Sequence, residues 1–331
     1  MRTSEKLITG IHHVTAIASD PQANVDFYVG LLGLRLVKKT VNFDDPSAYH
    51  FYYGDESGSA GTIVTFFYWP GHAARGRIGS GQSTALVFSA SPDSLGYWEE
   101  RLRANSVPFE RVRRFGEETL QFSDPDHIPI EIVAVAEDKR TGWTGSDVPP
   151  QHAIRGLHLA ELSLADSEPT QQLLTEIMGF REIRSEEGRI RLEAGNGGSG
   201  NLVDLVVEPT IATGRGGSGT IHHVAWNVPD DASELRMQKL LRESGFRVSG
   251  VRNRDYFQSI YYPSPGGVLF EIATATPGFT IDEPLEELGT ALQLPEQFAQ
   301  QRSAIEAALP PVEEAKKARP VSAQPAKGGS E

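Results

Sequence analysis

Two histidine doublets stand out by their residue types and their matching surroundings. His12 and His13 lie in GIHHVT, and His222 and His223 lie in GTIHHVAW. A glutamate, Glu271, lies inside the apolar segment GGVLFEIA. Imidazole and carboxylate groups together suit Zn, Fe, Mn or Ni. The chain contains no cysteine, so histidine and acidic residues would have to supply every side-chain ligand to such a metal.

The alternation of side chains along a strand indicates which histidine of each doublet faces a site. Successive residues of a β-strand point to opposite faces, so the two rings of a doublet should point apart. His223 shares its face with Ala225 and Asn227, whereas the opposite face of this segment is apolar. His13 and Glu271 likewise alternate with apolar residues. Because the apolar faces would pack under helices, we expect the second histidine of each doublet and Glu271 to line a concavity.

These segments belong to a pattern that occurs four times: a strand, a helix, and further strands that end in an apolar run. The opening strands are expected at 11–19, 83–91, 157–165 and 221–229, and the closing strands at 61–67, 126–133, 201–207 and 266–273. Helices are expected at 21–33, 93–105, 168–179 and 231–244, where spaced apolar residues follow an acidic or serine start. The pattern predicts an α+β fold of four βαβββ-type modules, with curled mixed β-sheets that form half-barrels.

The four modules are expected to form two domains. Residues 1–140 would hold modules 1 and 2, and residues 156–283 would hold modules 3 and 4, joined by a linker at 141–155. Residues 284–309 are expected to form a helical extension. The tail at 310–331 is rich in Pro, Lys, Glu, Gly and Ser, a composition typical of disorder.

Superposition of the modules places ligand-type residues at two equivalent positions. In modules 1 to 4 in turn, these positions hold His13 and Thr65, Thr84 and Glu131, His158 and Asp204, and His223 and Glu271. If the consecutive modules 3 and 4 pair, the site comprises His158, Asp204, His223 and Glu271. If modules 1 and 4 pair, it comprises His13, Thr65, His223 and Glu271. The doublets at 12–13 and 222–223 match each other and His158 lacks a doublet, which favours the pairing of modules 1 and 4.

The other candidate ligands carry weaker patterns. Glu131 is interpreted as structural, because its own module offers threonine in place of histidine. The remaining histidines lack a comparable context, and we expect surface or loop positions for all of them: His50, His72, His127 and His152.

Five stretches carry a resemblance to a known family. They are GIHHVT (10–15), FYVGLLGLRLVKKTVNFDD (27–45), YHFYYGDESGSAGTIVTFF (49–67), GTIHHVAW (219–226) and RNRDYFQSIYYPSPGGVLFEIAT (252–274). They resemble the vicinal oxygen chelate superfamily, which includes glyoxalases, extradiol dioxygenases and fosfomycin- or bleomycin-resistance proteins. Within it, the chain is most similar to hydroquinone ring-cleaving dioxygenases. The resemblance covers roughly the first 280 residues and leaves out the tail.

This resemblance implies an activity and a set of site residues. It implies that modules 1 and 4 pair, and that His13, His223 and Glu271 hold a ferrous ion, with Mn(II) as the alternative. The substrates would be a small aromatic diol, of the hydroquinone or catechol type, and dioxygen. Roles in supporting the ligands or contacting the substrate would fall on His12, Thr15, His222, Arg254 and Tyr261.

The composition limits the classes of partner that the protein could bind. The 31 basic and 44 acidic residues give a net charge of −13, which argues against nucleic acid or an anionic membrane surface as the main partner. The N-terminal segment MRTSEKLITGIHH lacks an apolar signal core, and no segment is apolar enough to span a bilayer, so we expect a cytoplasmic protein. A homo-oligomer is compatible with these features.

Two rival functions belong to other classes. A metal-dependent glyoxalase or isomerase would need a metal site filled by protein ligands, including a second acid. A binding protein that sequesters a drug would need no catalytic metal at all.

Overall fold

The computed structural model describes residues 7–69 and 74–321, and they form four modules of strand, helix and three strands. Module 1 comprises β1 (Gly10–Ala18), α1 (Pro21–Val25), β2 (Arg35–Asn42), β3 (Asp45–Gly54) and β4 (Ile63–Tyr68). Module 2 comprises β5 (Gln82–Ala90), α2 (Leu95–Ala104), β6 (Glu110–Arg114), β7 (Glu117–Ser123) and β8 (Pro129–Ala134).

The second half of the chain repeats the same order. Module 3 comprises β9 (Gly156–Leu164), α3 (Glu168–Gln172), β10 (Arg181–Glu186), β11 (Arg189–Glu193) and β12 (Leu202–Val207). Module 4 comprises β13 (Thr220–Val228), α4 (Asp231–Glu243), β14 (Arg252–Asn253), β15 (Phe257–Pro263) and β16 (Leu269–Pro277). The predicted βαβββ repeat is confirmed. No helix in the described part of the chain combines the length and the apolar character that crossing a bilayer requires.

Side-chain capping accounts for where α1 and α4 begin. Asp20 accepts a hydrogen bond from the backbone N–H of Ala23 at 2.9 Å, and Asp230 accepts one from Ser233 at 2.8 Å. These carboxylates satisfy N–H groups that have no partner within the helix. α1 and α3 continue as π-helical turns at Asp26–Leu31 and Leu173–Ile177, which extends them close to the ends expected from the sequence.

The sixteen strands form two eight-stranded mixed sheets, and each sheet combines two modules. The first sheet has the order β14-β15-β16-β13-β1-β4-β3-β2 and therefore joins modules 1 and 4. The second has the order β10-β11-β12-β9-β5-β8-β7-β6 and joins modules 2 and 3. In the first sheet β1 and β13 are antiparallel neighbours, and each is flanked by its own module's closing strand in parallel.

This topology decides between the two pairings. Modules 3 and 4 do not share a sheet, so the consecutive alternative, with His158 and Asp204 in the site, is wrong. The domain limits, 1–140 and 156–283, remain a prediction, and each of the two sheets contains strands from both predicted domains.

The main core fills the space on the apolar faces of the two sheets. Val224, Trp226 and Val228 of β13 are buried in it, as the alternation of the strand predicts. The same cluster includes Leu86 and Leu162 of the second sheet, so the two sheets share one continuous core. Packing of these faces leaves the opposite, more polar faces of the strands free to line concavities.

The C-terminal residues differ in part from expectation. Residues 279–301 hold three short 3₁₀ turns, and α5 spans Arg302–Ala308. Residues 310–321 were expected to be disordered, but they lie against module 1. Tyr49 donates a hydrogen bond to the carbonyl of Pro310 at 2.8 Å, and the backbone N–H of Lys316 donates to Asp26 at 3.0 Å. Residues 322–331 lie outside the described residues.

Candidate metal centre

Three buried side chains converge on the concave face of the first sheet. His13 comes from β1, His223 from β13 and Glu271 from β16. One ligand atom from each lies within 4.8 Å of the other two, and all three residues are buried. The Nε2 atoms of His13 and His223 are 3.2 Å apart, and Oε2 of Glu271 lies 2.8 Å from Nε2 of His223 and 3.5 Å from that of His13. In the described part of the chain, a group of His, Asp or Glu side chains that could hold a metal ion is found here, at His13, His223 and Glu271.

The strand register explains why these residues meet. Across β1 and β13, His13 is paired with Ala225, and Ala225 is paired in turn with Glu271 of β16. His223 is paired with Thr15, one step along the same face of β1. Because Ala225 is small, the side chains of His13 and Glu271 can approach each other above it.

The first histidine of each doublet supports the second. Nδ1 of His12 lies 2.8 Å from Nδ1 of His13, and Nδ1 of His222 lies 2.8 Å from Nδ1 of His223. If the Nε2 atoms of His13 and His223 face a metal, their Nδ1 atoms carry the hydrogen and donate it to the neighbouring imidazole. Such outer hydrogen bonds fix the tautomer and the orientation of a ligating histidine.

The carboxylate of Glu271 fits a metal-binding role. Ser259 donates a hydrogen bond to Oε1. Oε2 is buried between the two Nε2 atoms, and none of the described residues directs a hydrogen bond at it. A buried carboxylate oxygen without a donor is costly, and a cation would satisfy it. Two imidazole nitrogens and one carboxylate oxygen, with no sulfur, suit Fe, Mn, Zn or Ni.

The electrostatics of the group agree with this fit. Burial tends to raise the pKa of Glu271, but His13 and His223 together hold that pKa well below its usual range. Burial lowers the pKa of His223, and it lowers the pKa of His12 to about 3, with the charge of His13 acting in the same direction. An ionised Glu271 beside a neutral His223 is the protonation state that a metal requires.

A cavity of about 250 Å³ opens onto these ligands. Its walls include several aromatic rings: Phe43, Phe67, Trp69, Phe257 and Tyr261. Of the eight residues predicted for the site, His12 does not line this cavity; it lies behind His13 and lines a neighbouring one. His222 lies at the cavity with an exposed side chain. Its pKa is lowered nonetheless, first by desolvation of the ring and then by His223.

Arg254 and Tyr261 form a connected pair in the cavity wall. Nε of Arg254 donates a hydrogen bond to the Tyr261 hydroxyl at 3.1 Å, and Nη2 lies 3.0 Å from Oδ2 of Asp44. Tyr261 is the register partner of Glu271, which places its ring beside the ligands. Burial, followed by the charge of Glu271, raises the pKa of Tyr261, so this phenol keeps its proton at neutral pH.

Sequence reasoning missed His50, and its expected surface or loop position is wrong. His50 is buried on β3 and lines the cavity with Tyr52, two residues further along the same face. The Tyr52 hydroxyl is hydrogen-bonded to Nδ1 of His50, and Nε2 of His50 is hydrogen-bonded to Thr65 of β4. Thr65 is hydrogen-bonded in turn to Thr15. The two-residue spacing was visible in the sequence, but the pairing of β3 with β4 was needed to place it at the site. His127 is exposed in a loop and His152 lies in a 3₁₀ turn, while His72 lies outside the described residues.

The equivalent face of the second sheet holds ion pairs instead of a ligand group. Asp204 is bound by Arg191, with Nε 2.7 Å from Oδ1 and Nη2 3.0 Å from Oδ2. Glu131 is bound by Arg114. His158 has Nδ1 2.8 Å from Ser199 Oγ. Arginines neutralise the carboxylates here, which supports the structural interpretation of Glu131.

Comparisons of the sequence with known proteins point to one family. A family model described as "Glyoxalase/Bleomycin resistance protein/Dioxygenase superfamily" matches residues 10–132. The chain is 44% identical over 308 residues to "Putative ring-cleaving dioxygenase MhqO" of Bacillus subtilis (strain 168), covering 93% of this chain and 98% of the relative. It is 33% identical over 298 residues to "Chlorohydroquinone/hydroquinone 1,2-dioxygenase" of Sphingobium indicum, covering 88% and 92%.

Solved structures agree with these relatives. A crystal structure described as a "putative dioxygenase from Bacillus subtilis subsp. subtilis str. 168" matches with a TM-score of 0.90 at 43% identity, covering 94% of this chain and 99% of that one. Glyoxalase I from Zea mays shares the fold, with a TM-score of 0.59 at 15% identity and coverage of 80% and 92%. The chain therefore belongs to the glyoxalase/bleomycin resistance protein/dioxygenase superfamily.

Proposed function

We propose that this chain is an Fe(II)-dependent ring-cleaving dioxygenase, which opens a hydroquinone-type or catechol-type aromatic ring with dioxygen. Mn(II) is the alternative metal. The observation that carries the proposal is the convergence of His13, His223 and Glu271 within 4.8 Å at a cavity walled by aromatic rings. The names of relatives at 33% and 44% identity support the same reaction class.

The donor set supports iron. Two imidazoles and one carboxylate on one side of an ion leave positions open for exogenous ligands, which is the arrangement of non-haem Fe(II) oxygenases. When bound, ferrous iron would supply the one-electron chemistry that couples an electron-rich ring to dioxygen. His12 and His222 would hold the two ligating rings in orientation through their Nδ1 atoms.

The cavity walls would position the ring. Phe257 lies 5.3 Å from the His13 ring, measured between ring centroids, and it closes one side of the cavity. Phe67 and Trp69 lie together in the wall with centroids 5.3 Å apart. Burial of an aromatic substrate against these rings provides hydrophobic free energy and excludes water. Binding already fixes the orientation of the substrate beside the ligands. The chemical step therefore does not have to include that loss of rotational freedom.

Proton transfer and charge stabilisation would fall to polar residues of the same wall. Tyr261 stays neutral and can donate its proton to an oxygen that becomes negative during ring opening. Arg254 donates to the Tyr261 oxygen, which makes the phenol a stronger hydrogen-bond donor, and its positive charge favours a developing oxyanion. Thr15 presents a hydroxyl group on the same face as the ligands.

The position of Thr65 favours a dioxygenase over a glyoxalase-type isomerase. Thr65 is the module 1 equivalent of Glu271, where a second acidic ligand would be needed. Its hydroxyl group is instead 2.8 Å from that of Thr15 and 2.9 Å from Nε2 of His50. Within the described residues, no second carboxylate joins the group of ligand atoms.

Oxygen consumption tests the proposal. The protein is loaded with ferrous iron without air and then mixed with hydroquinone or catechol in an oxygen-electrode cell. We expect the uptake of one dioxygen per ring opened, with both oxygen atoms found in the product by mass spectrometry, and no uptake by metal-free protein. Absence of uptake with every diol, together with turnover of a hemithioacetal, would assign an isomerase. Tight aromatic binding without metal or turnover would assign a drug-sequestering protein.

A further inference from the structure

Four buried side chains form a continuous hydrogen-bonded chain that ends at the cavity. The Tyr52 hydroxyl is 3.0 Å from Nδ1 of His50, and Nε2 of His50 is 2.9 Å from Oγ1 of Thr65. Oγ1 of Thr65 is 2.8 Å from Oγ1 of Thr15. All four residues are buried, and none of them belongs to the three ligands.

The tautomer of His50 sets the direction of the hydrogen bonds that link these four side chains. Burial lowers the pKa of His50 well below its usual range, and the nearby His13, His223 and Arg254 act the same way, so the imidazole is neutral. A neutral imidazole donates with one nitrogen and accepts with the other. Its two partners therefore cannot both donate to it or both accept from it.

The buried hydroxyl group of Tyr52 selects one of the two directions. Among the described residues, Nδ1 of His50 is the one hydrogen-bond partner of this hydroxyl. Burial raises the pKa of Tyr52 well above its usual range, so the hydroxyl keeps its hydrogen and must place it on an acceptor. Tyr52 therefore donates to Nδ1, and Nε2 of His50 carries the hydrogen and donates to Thr65.

The remaining links follow from the first. Thr65 accepts from His50 and donates its own hydrogen to Thr15. Thr15 then has one hydroxyl hydrogen left, and it lines the cavity. In the opposite direction, the hydrogen of the Tyr52 hydroxyl would have no acceptor among the described residues, which is costly for a side chain that is almost fully buried.

The register of the sheet places this last hydroxyl beside the ligands. Thr15 is paired with Thr65 on one side and with His223 on the other, on the same face. An oxygen atom bound next to His223 would therefore meet a donor at Thr15 and not an acceptor.

We propose that Tyr52, His50 and Thr65 are positioning residues that hold Thr15 as a hydrogen-bond donor to the phenolate oxygen of the bound aromatic diol. This inference rests on the proposed function, because it requires a phenol to bind at the metal group. It adds a selection rule: the site favours the ionised form of the phenol, which accepts this hydrogen bond, over the neutral form.

The test uses 4-nitrophenol, a single phenol that changes colour on ionisation. It is titrated into iron-loaded protein without dioxygen, and both its dissociation constant and its ionised fraction are read from the spectrum. Tyr52→Phe and His50→Leu should each bind about tenfold more weakly, which corresponds to about 1.4 kcal/mol, with a smaller ionised fraction. His50→Gln should stay near the wild-type values, because its amide can accept from Tyr52 and donate to Thr65.

A matched control separates this role from simple loss of a buried hydroxyl group. Tyr53 lies next to Tyr52 on β3, is equally buried and donates to Oδ1 of Asn24 at 2.8 Å, outside the cavity. Tyr53→Phe should leave 4-nitrophenol binding unchanged, and iron per chain should stay constant in all variants.

Three results would overturn the inference. Unchanged affinity for 4-nitrophenol and an unchanged ionised fraction in Tyr52→Phe and His50→Leu would show that these hydrogen bonds do not orient Thr15 toward a phenolate. Equal impairment of His50→Gln and His50→Leu would show that the imidazole acts by itself and not as a relay. Failure of the wild-type protein to bind 4-nitrophenol at all would count against the proposed function, and the inference would fall with it.

Discussion

The Nε2 atoms of His13 and His223 lie 3.2 Å apart, although the two residues are 210 positions apart in the chain. Antiparallel pairing of β1 with β13 brings them together, and Oε2 of Glu271 lies within reach of both. Three electron-pair donors so close to one another repel unless a cation or a shared proton lies between them. This relationship makes metal retention the most direct measurement of the site.

Replacement of His13 should abolish metal retention. His13→Ala removes one of three ligands and the one-sided geometry that they create, so purified His13→Ala should hold little iron. His158→Ala is the matched control, because His158 occupies the equivalent position in the second sheet and bonds to Ser199. Iron per chain in the folded variants is the measurement. Loss of iron from His158→Ala with retention by His13→Ala would contradict the ligand assignment.

Ser259 should support metal affinity through Glu271. Ser259→Ala deletes the hydroxyl that donates to Oε1 of Glu271, and loss of such an outer hydrogen bond typically weakens metal binding roughly 10–100-fold. A competition titration with a chelator measures the dissociation constant. Ser264→Ala is the control, since the Ser264 hydroxyl is buried without a hydrogen-bond partner in the described residues. Equal effects of the two substitutions would refute a specific role for Ser259.

Arg254 should affect turnover more than metal binding. Arg254→Met removes the donor to Tyr261 and the positive charge beside the cavity, so kcat/KM should fall roughly 10²–10³-fold while iron content stays constant. Arg252→Met, in the exposed strand β14, should keep wild-type kinetics. If Arg254→Met loses iron in proportion to activity, the residue stabilises the site and does not act on the substrate.

Asp124 should give the protein a pH-dependent stability. Burial, with Asp126 acting in the same direction, raises the pKa of this carboxyl from 3.8 to about 7 despite hydrogen bonds from Tyr28 and backbone N–H groups. Because the folded state binds this proton more tightly, its stabilising contribution is complete below pH 3.8 and is lost as pH rises toward 7. The loss is at most about 4 kcal/mol.

Asp124→Asn removes this dependence, because an amide does not ionise. The free energy of unfolding of the wild-type protein, relative to Asp124→Asn, should therefore decrease between about pH 4 and pH 7. Urea denaturation of metal-free protein at several pH values measures the difference. A difference that does not vary with pH would show that Asp124 is ionised in the folded protein.

Local patterns in the sequence were enough to predict the modules and the residues that project from them. The alternation in IHHVAWNV and GGVLFEIA places His223 and Glu271 opposite apolar neighbours, and the strands have that arrangement. Strand alternation and helix capping act over a few residues, so a single sequence displays them directly. The fourfold βαβββ repeat follows from the same local signals.

Other features depended on contacts between distant segments. The matching doublets favoured His13 over His158 as a ligand, and the order of strands in the sheets decided between them. His50 was missed because its role depends on β3 lying against β4, and residues 310–321 were expected to be disordered because their composition does not reveal the side chains of module 1 that bind them.

The physical reason is the range of the interactions involved. By itself, the sequence determined which side chains share a strand face, because that is set by the backbone period of two residues. The tertiary structure decided which faces meet, because strand pairing depends on the summed free energy of burying whole sheets against one another. His13 and Glu271 became neighbours only when modules 1 and 4 joined in one sheet, while Arg191 and Arg114 neutralised the carboxylates of the other.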